Sequence, residues 1–200
     1  MAYAKSTFED LLLSLSYRYG ESSTPPSGIE NRKYWLNRGV NYVLDRLKPV
    51  QTDTITVASG VCDLTSGAGT TLDFRSFVSL LDSNNHSIQI VSPDQYAHAE
   101  GNVCSITGNH TSGFTLNVKT DGTYTLWYRF YPSDMTADGD VCIVSDPEAV
   151  VAFAYAQIRR SETDPLGDVD KNLQECEDRI NNMAEELSRN EGALTFKTLY

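Results

Sequence analysis

Apolar residues recur every three or four positions over roughly the first fifty residues and again after residue 146, but every second position in between. The two periods predict helices at both ends of the chain and strands in the middle. Ser6-Thr7-Phe8-Glu9 has the capping-box pattern, in which a hydroxyl and a carboxylate three residues on satisfy reciprocal backbone amides, and Leu11, Leu12 and Leu15 follow at helical spacing. That helix stops by Gly20. After the loop "ESSTPPSG", a second box, Ser27-Gly28-Ile29-Glu30, opens a helix with Leu36, Val40, Val43 and Leu47 on its apolar face, ended by Pro49.

From about Thr52 the pattern alternates between Gly, Asn and Asp turns. The clearest strand is "TYTLWYRFY", residues 123–131, with Tyr124, Leu126, Tyr128 and Phe130 on one face and Trp127, Arg129 and Tyr131 on the other, so both faces are expected to be covered. The Asp121-Gly122 pair between alternating runs predicts a hairpin from "FTLNV" to "TYTLWY". "SPDQYAHAE" reads as one short helix opened by Ser92 and Pro93.

Helix returns at Ser145-Asp146-Pro147-Glu148, where a cap, a first-turn proline and an acid at the positive dipole end agree. Val150, Phe153, Ala154 and Ile158 face inward there. After "SETDPLGD" a last helix carries Val169, Leu173, Cys176, Ile180, Met183 and Leu187, a spacing that supports packing on two sides. The expected fold class is therefore α+β: a helical bundle formed by both chain ends, with an inserted antiparallel β domain. The expected divisions are helices in 1–50, the β domain in 51–144, helices in 145–190 and an extension in 191–200.

Composition narrows the function. The 200 residues carry a formal charge of −11, which repels nucleic acid over most of the surface and disfavours a general DNA-binding role. The four cysteines are scattered, without the spacing of a zinc site or disulfide framework, and read as small buried apolar residues in a reducing cytosol. Leu11 to Leu13, preceded by acids, is too short for a membrane span or signal peptide, so no membrane partner is expected. Asn85-His86-Ser87 and Asn109-His110-Thr111 match the glycosylation pattern and, without a secretion signal, indicate exposed turns only.

No catalytic constellation emerges, so the chain is not expected to be an enzyme or to need a cofactor or metal. His86, His98 and His110 lack metal-binding spacing, "TSGAGTT" lacks the Lys-Ser/Thr end of a phosphate loop, and Asp138, Asp140, Asp164, Asp168 and Asp170 lack the alternation of a calcium loop. Charge distribution says more. Residues 29–48 hold five basic and two acidic side chains, and 161–191 three basic and ten acidic. The basic side, with Arg32, Lys33 and Arg38, and the acidic side, with Glu175 and Asp178, suit head-to-tail contacts between copies, or else pair within one chain. The chain closes on "EGALTFKTLY", whose Leu194, Phe196, Leu199 and Tyr200 must fold back or bind something.

Three stretches, "TTLDFRSFVSLLDSNNHSIQIVSPDQYAH", "YTLWYRFYPSDM" and "CIVSDPEAVVAFAYAQIRR" with the acidic helix after it, follow one another in an order that resembles the head-to-tail adaptor (connector) proteins of tailed bacteriophages. The first resembles that family's strand, turn, strand and Ser-Pro helix opening, the second its aromatic strand ending in proline, the third its Asp-Pro helix start. The resemblance implies a ring, of twelve copies, that docks on the portal protein after packaging, extends the DNA channel and presents a platform to the next tail component, a nozzle or stopper. DNA would pass an acidic lumen without specific binding, and the protein, assembled in the host cytoplasm, would reside at the head–tail junction of the virion. It also implies a C-terminal arm, hinged at Gly192, that grips the portal through Leu194, Phe196, Leu199 and Tyr200. The alternative, motivated by Trp127, Tyr128 and Tyr131, is a carbohydrate-binding module of a tail or receptor-binding protein, with these aromatics as a sugar-stacking platform.

Overall fold

The computed structural model describes residues 6–23, 28–64, 74–109, 112–130, 133–162 and 166–195, with side chains left undescribed at 166–167 and 190–195. Two compact units partition the chain, one from Met1–Lys48 with Asp134–Tyr200 and the other from Pro49–Ser133.

The first unit contains α1 (Phe8–Arg18), α2 (Ile29–Leu47), α4 (Pro147–Ser161) and α5 (Leu166–Thr195). Its α1 opens on a capping box one residue later than the sequence suggests. Thr7 is the cap, its hydroxyl accepting from Asp10 N at 3.2 Å while the Asp10 carboxylate accepts from Thr7 N at 2.8 Å. The shift follows from Asp10, whose carboxylate reaches back to both the amide and the hydroxyl of Thr7, each at 2.8 Å. At α2 the cap is Gly28, at φ 80°, with no side-chain bond to the helix, and the Ser27 of the expected box lies outside the described residues. Asp146 caps α4, its carboxylate accepting from Glu148 N at 3.1 Å, with Pro147 following in the first turn.

A bundle closed by the chain ends is not what these helices form. Eight residues of α4, Ala149–Ala154, Ala156 and Ile158, are buried, on every side of the helix, and α1, α2 and α5 each lay one stripe against it. An all-round apolar helix must take neighbours on every side. The non-helical Met135, Cys142 and Val144 complete that core, and the segment holding them is tied to the start of α1 by Cys142 N donating to Ser6 O and Phe8 N to Asp140 O, at 2.9 and 2.8 Å. Close approach of α2 to α4 depends on Gly39, where a Cβ would stand 2.9 Å from the Val150 carbonyl oxygen.

The second unit is likewise not a plain antiparallel domain. Strands β1 (Gln51–Val57), β2 (Val61–Asp63), β3 (Phe74–Leu81), β4 (Ser87–Ile90), β5 (Val103–Asn109), β6 (Gly113–Val118) and β7 (Gly122–Phe130) form one sheet in the order β1-β7-β3-β4-β5-β6-β2. The β4–β5 pair is parallel, with the short helix α3 (Pro93–His98) in its connection, so the sheet is mixed. Its two ends, β1 and β2, meet at a tight turn bridged by Ala58 and Val61, and the sheet is a nearly closed barrel. Ser59 and Gly60 both take positive φ, 55° and 76°, as a two-residue hairpin turn requires, and the Asp121 carboxylate accepts from both their amides at 3.0 and 2.7 Å.

That clamp corrects the hairpin expected around Asp121-Gly122. β6 pairs with β5 and β2, whereas β7 pairs with β1 and β3, so the chain crosses between non-adjacent strands there. Ile55, Val57, Phe74, Leu80, Leu116, Tyr124, Leu126 and Tyr128 fill the barrel. Burying each large side chain contributes about 1.5–3 kcal/mol. Tyr128 keeps its hydroxyl satisfied by donating to Asp53 at 2.5 Å. The outer face of β7 is only partly covered, and Trp127 there is 36% exposed.

Candidate assembly interface

Charge on the helical unit sorts into groups that are consumed internally and groups that are not. Arg18 of α1 forks onto Glu175 of α5 at 2.8 and 3.0 Å and also donates to Glu148 at 3.0 Å and Asn172 at 2.8 Å. Arg179 joins the same network through Asp146 at 2.8 Å and Glu175 at 3.1 Å. Bonding from Arg18, supported by Arg179, holds the Glu175 carboxyl below its usual range against the opposing effect of burial. Glu175 therefore ties α1 to α5 within one chain.

Arg32 is similarly engaged. It forks onto Glu21 at 2.8 and 3.1 Å, donates to Ser16 Oγ at 2.8 Å and lies over the Tyr19 ring, with only 11% of its side chain exposed. Lys33 sits 3.9 Å from Asp138 and over the Phe8 ring. A direct α2–α5 link exists in Glu177, which accepts from the Tyr42 hydroxyl and lies 3.3 Å from Arg46. Burial first, and then the bond to Glu177, push the Tyr42 phenol up. The basic and acidic helices thus neutralise each other through Arg46 and Glu177, and Arg32, Lys33 and Glu175 are directed to partners in their own chain.

Arg38 and Asp178 differ. Arg38 is exposed on α2, its Nε donating to Tyr34 Oη at 3.2 Å and its guanidinium stacked 5.4 Å from that ring. Asp178 is exposed on α5 and accepts from Gln174 Nε2 at 2.8 Å. Neither has an opposite charge within 4 Å among the described residues. A surface pocket of about 300 Å³ lies beside Arg38, lined also by Tyr34, Asn37, Asn41 and Asp134. Its wall is fixed because Asn37 holds the Met135 backbone at both ends of its amide, at 3.0 and 2.9 Å. The sequence draws attention to Arg38 but not to Tyr34, although their spacing of four on a polar helix face is a legible signal. Nothing in the sequence signals the Asn37–Met135 bond across 98 positions.

The expected C-terminal arm is reached only at its base. α5 is helical through Thr195, so Gly192 and Leu194 lie in its last turns, while Phe196, Leu199 and Tyr200 fall outside the described residues. Of the aromatic platform of the alternative reading, the described residues show Trp127 outside the barrel and Tyr128 inside it. Tyr124 and Tyr128 point into the barrel, 6% and 2% exposed, and Trp127 is the sole large exposed aromatic of the described strand, with Tyr131 outside the described residues. Among the described residues no cluster of three or more His, Cys, Asp or Glu could hold a metal ion, and no helix is long and apolar enough to cross a membrane. "TSGAGTT" and Asp164 lie outside the described residues.

No curated protein matches the chain. A family model described as SU10 adaptor protein matches residues 6–196, which takes in every strand and only the start, Leu194 to Phe196, of the "LTFKTLY" end. On that match the chain belongs to the SU10 adaptor protein family, whose members are structural head–tail adaptors of bacteriophages.

Proposed function

We propose that this protein works as a ring on the portal vertex of the virion, extending the DNA channel from the portal and docking the next tail component. The observation that carries the reading is the family match, unbroken across both structural units. The ring is of twelve copies, DNA passes its lumen without specific binding, and the chain's task is mechanical connection rather than chemistry. The formal charge of −11 suits that lumen, because repulsion from phosphates keeps moving DNA from adhering. The C-terminal residues Leu194, Phe196, Leu199 and Tyr200 form the grip on the portal, and assembly takes place in the host cytoplasm.

Mixing the purified protein with its portal and imaging the product by electron microscopy tests this. A ring of copies capping the portal is the expected result. A chain that stays apart from the portal and forms no ring under any of these conditions overturns it.

A further inference from the structure

The pocket on α2 has unspent capacity of a definite kind. The Arg38 Nη groups, the Asn41 amide and the Asp134 carboxylate that line it meet no partner among the described residues. Its aromatic wall, Tyr34, is 50% exposed, and Arg38 is already oriented by stacking on that ring. An exposed Tyr and Arg held together in a rigid concavity is the composition of an interface hot spot, because little side-chain entropy is left to lose on binding. The pocket asks for one carboxylate, to meet Arg38, and one N–H donor beside it, to meet Asp134.

We infer that the occupant is the Gln174–Asp178 pair on α5 of a second copy, an inference that rests on the ring reading above. The two side chains are already joined at 2.8 Å one turn apart on an exposed helix face. Asp178 retains lone pairs for the Arg38 fork, and the second N–H of the Gln174 amide is free in direction to reach Asp134. Competing carboxylates nearby are spent: Glu175 is held by Arg18 and Arg179, and Glu177 by Tyr42 and Arg46. The partners lie on different helices, α2 of one copy and α5 of the next, so the contact can repeat head to tail around the ring that the reading above requires. This places the inter-subunit charge pair at Arg38 and Asp178 and adds Tyr34, Asn41, Asp134 and Gln174 to it.

Charge exchange on the full chain, assembled with portal and followed by light scattering and electron microscopy, tests the contact. Arg38→Asp and Asp178→Arg each lower ring formation about tenfold at a given concentration, and the double exchange Arg38→Asp with Asp178→Arg restores it. Circular dichroism of each variant stays that of the parent, because both side chains are exposed. If the parent forms rings and either single variant forms them equally well, or the double exchange does no better than the singles, the contact is wrong while the ring reading survives. If the parent forms no ring with portal, the ring reading fails and the contact falls with it.

Discussion

Replacing Gly39 by alanine sets two effects of known sign against each other. In an exposed helix interior the change gains about 0.8–1.0 kcal/mol, since alanine is the better helix former. At this position the added Cβ would stand 2.9 Å from the Val150 carbonyl oxygen, 3.0 Å from its Cγ1 and 3.4 Å from its Cα. Ordinary contact needs about 3.5 Å or more, so α2 must withdraw from α4 by roughly half an ångström. Overpacking of that kind costs about 1–3 kcal/mol. The net expectation is a loss of about 1 kcal/mol. Val150→Ala removes the Cγ1 contact but not the carbonyl, so in that background the Gly39→Ala loss shrinks by about 0.5 kcal/mol without vanishing. Gly139, where a Cβ would meet nothing within 4 Å, is the control, and alanine there shifts stability by less than about 0.5 kcal/mol. Urea unfolding in a Trp127→Phe background, read by fluorescence of Trp35, which packs on the helical core, reports the helical unit. A midpoint raised by the helix-propensity amount, with no coupling to Val150, would refute the reasoning.

Other outcomes follow from the same geometry. Arg18→Met should destabilise the helical unit by about 1 kcal/mol at neutral pH, discounted for the partial exposure of its partners. Because Arg18 holds the Glu175 pKa below its unfolded value, that stability is present above the ordinary carboxylate range and is lost as pH falls through the lower folded value, so parent and variant should converge in acid; a gap that widens in acid contradicts the assignment. Tyr128→Phe, which leaves Asp53 without its donor, should cost about 1 kcal/mol in denaturant unfolding with no effect on ring formation. A thiol reagent should modify half-exposed Cys62 first and leave Cys104 and Cys176, buried and pushed up to about 11 and about 12, unmodified until unfolding; fast native-state reaction of either contradicts their burial. Deleting residues 192–200 trims α5 by its last turn, so it should lower the helical circular dichroism signal only slightly, leave the unfolding midpoint unchanged and abolish portal attachment in co-sedimentation; attachment at the parental level removes the arm.

Local signals reached the helices and not the sheet. The cap and proline before α4, and the apolar stripe of α5, are decided within a turn or two of chain, so residues such as Asp146 and Ile180 stand where their spacing puts them. Asp121-Gly122 has the local form of a hairpin turn, yet its neighbours in the sheet are set by distant pairings, Val57 with Gly122 and Phe74 with Phe130. The two-residue turn at Ser59-Gly60 is equally short in sequence but leads into a strand only three residues long, joined to β1 by the single bridge Ala58–Val61. That α4 is a hub and not one of four equal helices depends on alanines, which read as neutral in an apolar pattern but allow close approach on every side. Charge was legible only in part: counting acids and bases along two helices leaves open which of them pair within the chain, as Arg46 and Glu177 do. Arg32, Lys33 and Glu175 have charged partners in their own chain, whereas Arg38 and Asp178 meet no opposite charge within 4 Å among the described residues.

The pairing of β1 with β7 has a consequence for how the gene can vary. Gln51 and Tyr128 are opposite partners in register, so the strand that opens the second unit and the strand that closes it lie side by side, about 5 Å apart. Between Lys48 and Asp134, then, the helical unit is interrupted by a segment that already closes its own loop. Replacing the barrel by a shorter hairpin, or by a larger domain with adjacent ends, adds little closure entropy and asks nothing new of the α2–α4 seam. The barrel is therefore expected to tolerate exchange as a unit while the helices keep their packing.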